Sequence, residues 1–263
     1  MNKYTTLKLP FGKKQFKIYG NDDDVSSFIP LQINGTYEPG TMRVLKKIIK
    51  PTDICIDIGG NIGMISIPLG FLAKRGHVYA FEPESNNYQN FMDSIAENKS
   101  YNVEVFCCGI SDNREVRTLT YEMDKLACNH MTDTNFVNPE CETKDALFIT
   151  LDEFIIERSL DTINFIKIDV EGAEVKILRA IKQSILKFKP TLIVEVAPSL
   201  LHTYFNNSPK DLWEVVFDVY KYIYWIDDNS GYLTRLNVYS ELESKILKSK
   251  GWDNILCSNK EVK

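Results

Sequence analysis

No Cys-x-x-Cys pair occurs in these 263 residues, although there are six cysteines. Zinc ribbons and thioredoxin-type redox sites need that spacing, so neither is expected. Cys55, Cys107, Cys108, Cys128, Cys141 and Cys257 read as reduced thiols, with Cys55 and Cys107 inside apolar strand-like runs. No apolar run is long enough to span a bilayer; the longest, 62–73, is interrupted by Ser66 and Pro68. Residues 1–19 mix lysines with apolar residues and lack a signal-peptide core. Positive net charge is missing too. At −5 the chain does not suit a dedicated nucleic-acid binder, although a local basic patch is compatible with it. Repeats and low-complexity tracts are absent. The 44% hydrophobic and 25% charged content suits a globular chain with a substantial core. The expectation is a cytoplasmic protein with no transmembrane segment and no nucleic-acid partner.

One further absence is informative. Residues 53–58 form an apolar, β-branched run that reads as a buried strand. It ends in Asp57 and a turn, Gly59-Gly60-Asn61-Ile62-Gly63, and a helix-compatible segment follows. A dinucleotide fingerprint needs glycine at the first, third and sixth positions. Counted from Gly59, the third and sixth are Asn61 and Met64, so the fingerprint fails. What stands instead, Asp-x-Gly-x-Asn-x-Gly, resembles the first motif of the class I S-adenosylmethionine-dependent methyltransferases.

The remaining pattern alternates strand and helix. Residues 7–19, broken by Pro10-Phe11-Gly12, read as a hairpin. A short helix over 39–49 carries Pro39 in its first turn. Strands are expected at 77–82, 103–108, 163–170 and 191–196. Helices are expected at 62–74 (kinked or irregular near Pro68), 85–98 (capped by Ser85), 173–187, 211–222 and 241–248. Segments 222–226 and 232–236 flank a hairpin-like turn, and 252–257 is a last strand. This predicts an α/β fold with a doubly wound, mostly parallel, seven-stranded sheet, in which 252–257 runs antiparallel. The domain reading is an N-terminal extension over 1–50 packed on a methyltransferase-type domain over 51–263. Within that domain, 114–150 reads as a strand pair with an insertion able to close over the site.

Ligands of open α/β sheets bind beyond the carboxyl ends of the strands. The first of these strand ends supplies Asp57, Gly59, Asn61 and Gly63. The second supplies Glu82 and Pro83, with Glu82 suited to a bidentate hydrogen bond to ribose hydroxyls. At the third, Gly109 and Ile110 would bracket an adenine ring. The fourth carries Lys167, Asp169 and Glu171 on one face, by period-two alternation. Crowded acids of this kind are commonly functional, though Lys167 neutralising Asp169 structurally is the plainer alternative. Glu195, inside an apolar fifth strand, needs a partner and is a candidate to hold a substrate hydroxyl or a metal. Tyr37 and Glu38 either close the cofactor pocket or merely introduce the Pro39 helix.

Five segments in order carry a more specific resemblance: Gly35-Thr36-Tyr37-Glu38-Pro39, 57–63, Phe81-Glu82-Pro83, Thr150-Leu151-Asp152-Glu153-Phe154 and 166–174. Together they resemble the FkbM family of S-adenosylmethionine-dependent methyltransferases over roughly residues 30–200. The resemblance implies S-adenosyl-L-methionine as cofactor and methyl transfer to a hydroxyl of a sugar, glycan or natural-product small molecule. A sugar nucleotide is among the acceptors it allows, in polysaccharide or secondary-metabolite assembly. Relatives often carry alanine where this chain has Gly60, and glycine there is expected only to add flexibility. The candidates for taking the hydroxyl proton are Asp169, Glu171, Glu195, His202 (read as a loop residue) and His130. Asp169 is expected nearest the methyl group. A divalent cation on Asp169 and Glu195 is a less favoured alternative.

Competing acceptors lack their signatures. There is no Asp/Asn-Pro-Pro-aromatic turn after the fourth strand, as nucleic-acid amino-methylating enzymes carry. There is no Pro-Cys pair, as carbon-methylating cytosine enzymes commonly carry. The rival from another class is a catalytically inactive binding or assembly module that keeps the fold. Tyr222, Tyr224, Trp225 and Tyr232 are core residues or a sugar-stacking surface. The oligomeric state stays open.

Overall fold

A computed structural model describes residues 3–25, 27–121 and 142–262. The insertion's centre, with His130, Cys128 and Cys141, lies outside them. β1 (Lys3–Lys8) and β2 (Gln15–Gly20) form an antiparallel hairpin, followed by α1 (Phe28–Asn34) and α2 (Pro39–Ile48). Then come β3 (Ile54–Ile58), α3 (Ser66–Leu72), β4 (His77–Phe81), α4 (Ser85–Asn98) and β5 (Val103–Phe106). A small side sheet holds β6 (Gly109–Ile110), β7 (Glu115–Tyr121) and β8 (Glu142–Ile149). The second half runs α5 (Leu151–Glu157), β9 (Phe165–Ile168), α6 (Glu174–Ala180), α7 (Lys182–Phe188), β10 (Thr191–Val196), α8 (Pro198–Phe205) and α9 (Pro209–Phe217). It closes with β11 (Tyr222–Ile226), β12 (Leu233–Leu236), α10 (Tyr239–Ile246) and β13 (Asp253–Ser258).

The main sheet has the order β12-β11-β13-β10-β9-β3-β4-β5. Strands β5, β4, β3, β9 and β10 are parallel, and β13 inserts antiparallel between β10 and β11. This is the doubly wound, mostly parallel class I arrangement, widened by an eighth strand. The hairpin partner β12 pairs with β11 at the edge, so a second strand runs against the majority. The sheet is buried on both faces, as parallel sheets require. One face packs on α5 to α7 through residues such as Ile166, Leu178 and Val194. The other packs on the N-terminal extension, where Leu7, Phe16, Phe28 and Leu45 meet Cys55, Ile193 and Leu256.

Local chemistry moves several boundaries. Glu84, not Ser85, caps α4, its side chain accepting from the Asn87 N–H at 2.7 Å. α3 starts only at Ser66, so Pro68 falls in the first turn, where its missing N–H costs nothing. The single helix expected over 173–187 is two, because Ile181 opens to ψ 9° between α6 and α7. Leu178, Ile181 and Ile185 stay buried across the break, which is why the helical period read through it. α9 begins at Pro209 behind a Ser208–Asp211 capping box and ends at Phe217, short of the expected 222. Thr150 and Glu153 form another such box, giving that segment a structural role at the start of α5. Cys107 is exposed just past β5 rather than buried within it. Tyr224 and Trp225 are core residues, whereas Tyr232 is 71% exposed.

Candidate active site

A cavity of about 350 Å³ opens at the carboxyl ends of β3, β4, β9 and β10. Its floor is the glycine turn. Gly59 and Gly60 donate their N–H groups to the Phe81 carbonyl, both at 3.0 Å, and the Asp169 N–H reaches the Ile58 carbonyl. Gly59 has φ +89°, and a Cβ there would lie 1.7 Å from the Asp169 carbonyl oxygen. Only glycine lets β3 and the β9 loop approach this closely. Gly63, at φ +90°, instead makes room for Phe91, 2.5 Å from where its Cβ would be. Gly63 is not among the residues lining the cavity. Gly60 does more than add flexibility, since a Cβ would sit 2.9 Å from the Phe91 ring.

Glu82 closes one side. Its Oε2 accepts from the Asn61 N–H and its Oε1 from the Glu84 N–H, both at 2.9 Å. Burial lifts its carboxyl to about 7, against those two hydrogen bonds. Each oxygen retains a second lone pair for a ligand hydroxyl. Asn61 itself is left-handed (φ 49°), and its Nδ2 donates to Ser27 of the N-terminal extension at 3.1 Å. Pro83, Asn87, Gly109, Ile110, Leu119 and Phe148 continue this wall, so the β7–β8 sheet borders the site.

The opposite side is acidic. Asp57 is buried and accepts from the Ser66 hydroxyl at 2.6 Å, and burial lifts its carboxyl to about 7. Lys167 is 1% exposed and donates to Asp169 Oδ2 at 2.8 Å. Burial opposes its charge, but Asp169 and Glu38 hold the ammonium above its usual range. Glu38 sits at φ 38°, and its Oε2 accepts from Asn254 Nδ2 of β13 at 2.9 Å. Burial raises the Glu38 carboxyl, against the pull of Lys167. Burial, with Asp169, Glu171 and Glu174 nearby, holds the Glu195 carboxyl well above the usual range. Glu195 Oε2 is buried and has no hydrogen-bond partner. Tyr37, Leu200 and Trp252 complete this end. The loop after β9 owes its shape to Glu174, whose Oε1 accepts from the Val170 and Gly172 N–H groups at 3.0 and 3.3 Å. That anchor holds Glu171 (φ 55°) and Gly172 (φ 103°) in left-handed turns.

The cavity therefore brings together Tyr37, Glu38, Asp57, Gly59, Asn61, Glu82, Pro83, Gly109, Ile110, Asp169, Glu171 and Glu195. His202 is not among its lining: it is an exposed residue of α8 rather than a loop residue, so the structure does not bring it to the site. His130 lies outside the described residues. Ser27, Asn87, Leu119, Phe148, Leu200 and Trp252 line the cavity without having been anticipated. Their only sequence signal was proximity to a predicted element, which does not reveal a shared wall. Among the described residues, no group of three or more His, Cys, Asp or Glu side chains is arranged to hold a metal ion. Nor is any helix long and apolar enough to cross a membrane.

Several known proteins are similar to this chain in sequence or in fold. The chain is 24% identical over 167 residues to Methyltransferase 1 of Beauveria bassiana, covering 55% of this chain and 64% of that one. It is 25% identical to Methyltransferase sdnD of Sordaria araneosa, covering 53% and 64%. The chain thus spans just under two thirds of the length of these relatives. Among solved structures, Methyltransferase FkbM from Methylobacillus flagellatus aligns with 18% identity and a TM-score of 0.49, over 80% of this chain and 44% of that one. The profile of the Methyltransferase FkbM domain matches residues 57–224, from the Asp57 turn to β11, and the chain belongs to that family.

Proposed function

We propose that this protein is an O-methyltransferase that uses S-adenosylmethionine to methylate a hydroxyl of a sugar, glycan or similar polyhydroxylated small molecule. One observation carries the reading. The cavity joins a glycine turn and a ribose-ready Glu82 to a carboxylate-rich end built round Lys167. Family membership and a cavity floored by the Gly59–Gly60 turn fit a nucleoside cofactor with no pyrophosphate.

When bound, S-adenosylmethionine supplies an electrophilic methyl group on a sulfonium. The chain's own residues do the rest. Glu82 accepts the ribose hydroxyls, and Ile110 and Phe148 offer apolar surface to the adenine. Asp169 lies at the junction of the two ends and takes the acceptor's hydroxyl proton as the oxygen attacks in line. Lys167 orients Asp169 through its 2.8 Å hydrogen bond. Glu195, whose buried Oε2 has no partner in the fold, holds a second acceptor oxygen by a hydrogen bond. Five carboxyl groups, those of Glu38, Asp57, Asp169, Glu171 and Glu195, against a single lysine suit an acceptor rich in hydroxyls and poor in anionic groups. Lys167 already supplies a cation among these carboxylates, so the reading calls on no metal ion.

The test is release of S-adenosylhomocysteine over a panel of neutral sugars, glycans, sugar nucleotides and amines. Asp169→Asn should cut turnover by ~100-fold or more, while S-adenosylhomocysteine affinity stays within severalfold. Methylation of amines alone would sink the oxygen acceptor. Tight cofactor binding without turnover on any acceptor would favour a binding module. Full activity in Asp169→Asn would remove that residue as the base.

A further inference from the structure

Three stretches of the chain, 8–19, 39–52 and 62–76, contain no Asp or Glu. The fold gathers parts of all three at the amino ends of the parallel strands, opposite the cavity. The Arg75 N–H donates to the Pro51 carbonyl at 2.7 Å, tying the end of α3 to the end of α2. Phe16 of β2 meets Phe71 of α3 edge-on at 5.9 Å, and Lys14 Nζ lies over both rings. Lys46 Nζ lies over Phe11 of the hairpin turn. The exposed cations of this face are Lys13 and Lys14 from the hairpin, Lys46, Lys47 and Lys50 from the end of α2, and Lys74 and Arg75 after α3. None of them has an ion-pair partner among the described residues. Lys46 and Lys47 complement the α2 dipole, but that explains only two of the seven. Phe71, 44% exposed, sits in their midst.

We infer that this face docks on an acidic lipid bilayer. The chain as a whole is at −5, so attraction to anionic headgroups falls to acid-free, lysine-rich patches such as this one. Six of the seven cations are lysines, which are hydrated point charges suited to diffuse attraction. Reading base edges favours arginine forks. The Phe11, Phe16 and Phe71 rings already carry lysine ammonium groups on or near their faces, so they do not make free stacking platforms for bases. Lysine stems beside an exposed phenylalanine fit the headgroup boundary, with the ring below and the charges in water. The cavity lies at the far end of β3, so its mouth faces away from the docked surface. This inference does not depend on the reading of catalysis.

The experiment is co-sedimentation of the full chain with vesicles of phosphatidylcholine alone, or with about a third phosphatidylglycerol. Single-stranded RNA is tested in parallel at matched phosphate concentration. Binding is expected to acidic vesicles alone and to weaken with salt. Each lysine lost should cost roughly fivefold, so K13Q/K14Q/K46Q/K47Q should lose ~100-fold or more. Phe71→Ser should weaken binding while keeping the salt dependence. If the fourfold variant fails to fold, K13Q/K14Q and K46Q/K47Q carry the test separately. No binding to acidic vesicles, or undiminished binding by the lysine variants, overturns the inference. RNA binding tighter than vesicle binding, and lost in the same variants, overturns it in favour of nucleic acid.

Discussion

Replacing Glu82 tests the cofactor geometry most directly. Its two oxygens each accept one backbone N–H at 2.9 Å, from Asn61 and from Glu84, leaving one lone pair apiece for a ribose hydroxyl. Glu82→Ala deletes two charge-assisted hydrogen bonds to the ligand, each worth ~1.5–3 kcal/mol. Water entering the truncated site recovers part of that. A net loss of ~3 kcal/mol is expected, or roughly 100-fold in the dissociation constant for S-adenosylhomocysteine. Glu82→Gln keeps one acceptor oxygen and should lose roughly 10-fold. The wild-type affinity should also fall as pH drops from 8 to 6, because the buried carboxyl protonates at about 7 and a protonated oxygen no longer accepts. In Glu82→Gln that pH dependence should flatten without vanishing, since Asp57 also titrates at about 7. Isothermal titration calorimetry at the two pH values reads all of this. Affinity within threefold of wild type in Glu82→Ala would refute the ribose assignment, and the orientation of the cofactor with it.

Two further perturbations probe the buried charges. Lys167→Met removes the cation paired with Asp169 and should destabilise the fold by ~3–5 kcal/mol at neutral pH. Adding Asp169→Asn should restore part of the loss, and a thermal melt showing no coupling would contradict the pairing. The ligand-free protein should lose stability as pH rises from 5 to 8. Asp57, Glu82 and Glu174 each keep a proton to about pH 7 when folded, because of burial. In the unfolded chain they release it near pH 4. Between those values the folded state binds more protons, so stability falls with rising pH. Glu174→Gln should flatten the curve, and a melting temperature that climbs steadily across the window would be incompatible with three raised carboxyls.

The strand β3, the turn after it, and the acids at the ends of β4 and β9 were legible in sequence because each depends on neighbours a few residues away. A β-branched run and a glycine that must adopt φ +89° leave local signatures, and they marked part of a cavity that twelve of the expected site residues line. Helix limits were less legible where a cap competed with its neighbour, as Glu84 does with Ser85. What the residues could not announce is which distant segments meet. Asn254 bonds Glu38 across 216 positions, Ser27 reaches Asn61, and Trp252 and the β7–β8 sheet supply walls. Each of these depends on sheet register and on how the N-terminal extension packs. His202 fell on the exposed side of a helix for the same reason: a one-dimensional interval from Glu195 fixes distance along the chain, not direction in space. The sequence by itself determined the strand–helix alternation, the turn that only glycine can make and the acids at the strand ends. Tertiary structure alone decided that those acids surround one buried lysine, because only packing excludes the water that would otherwise screen them.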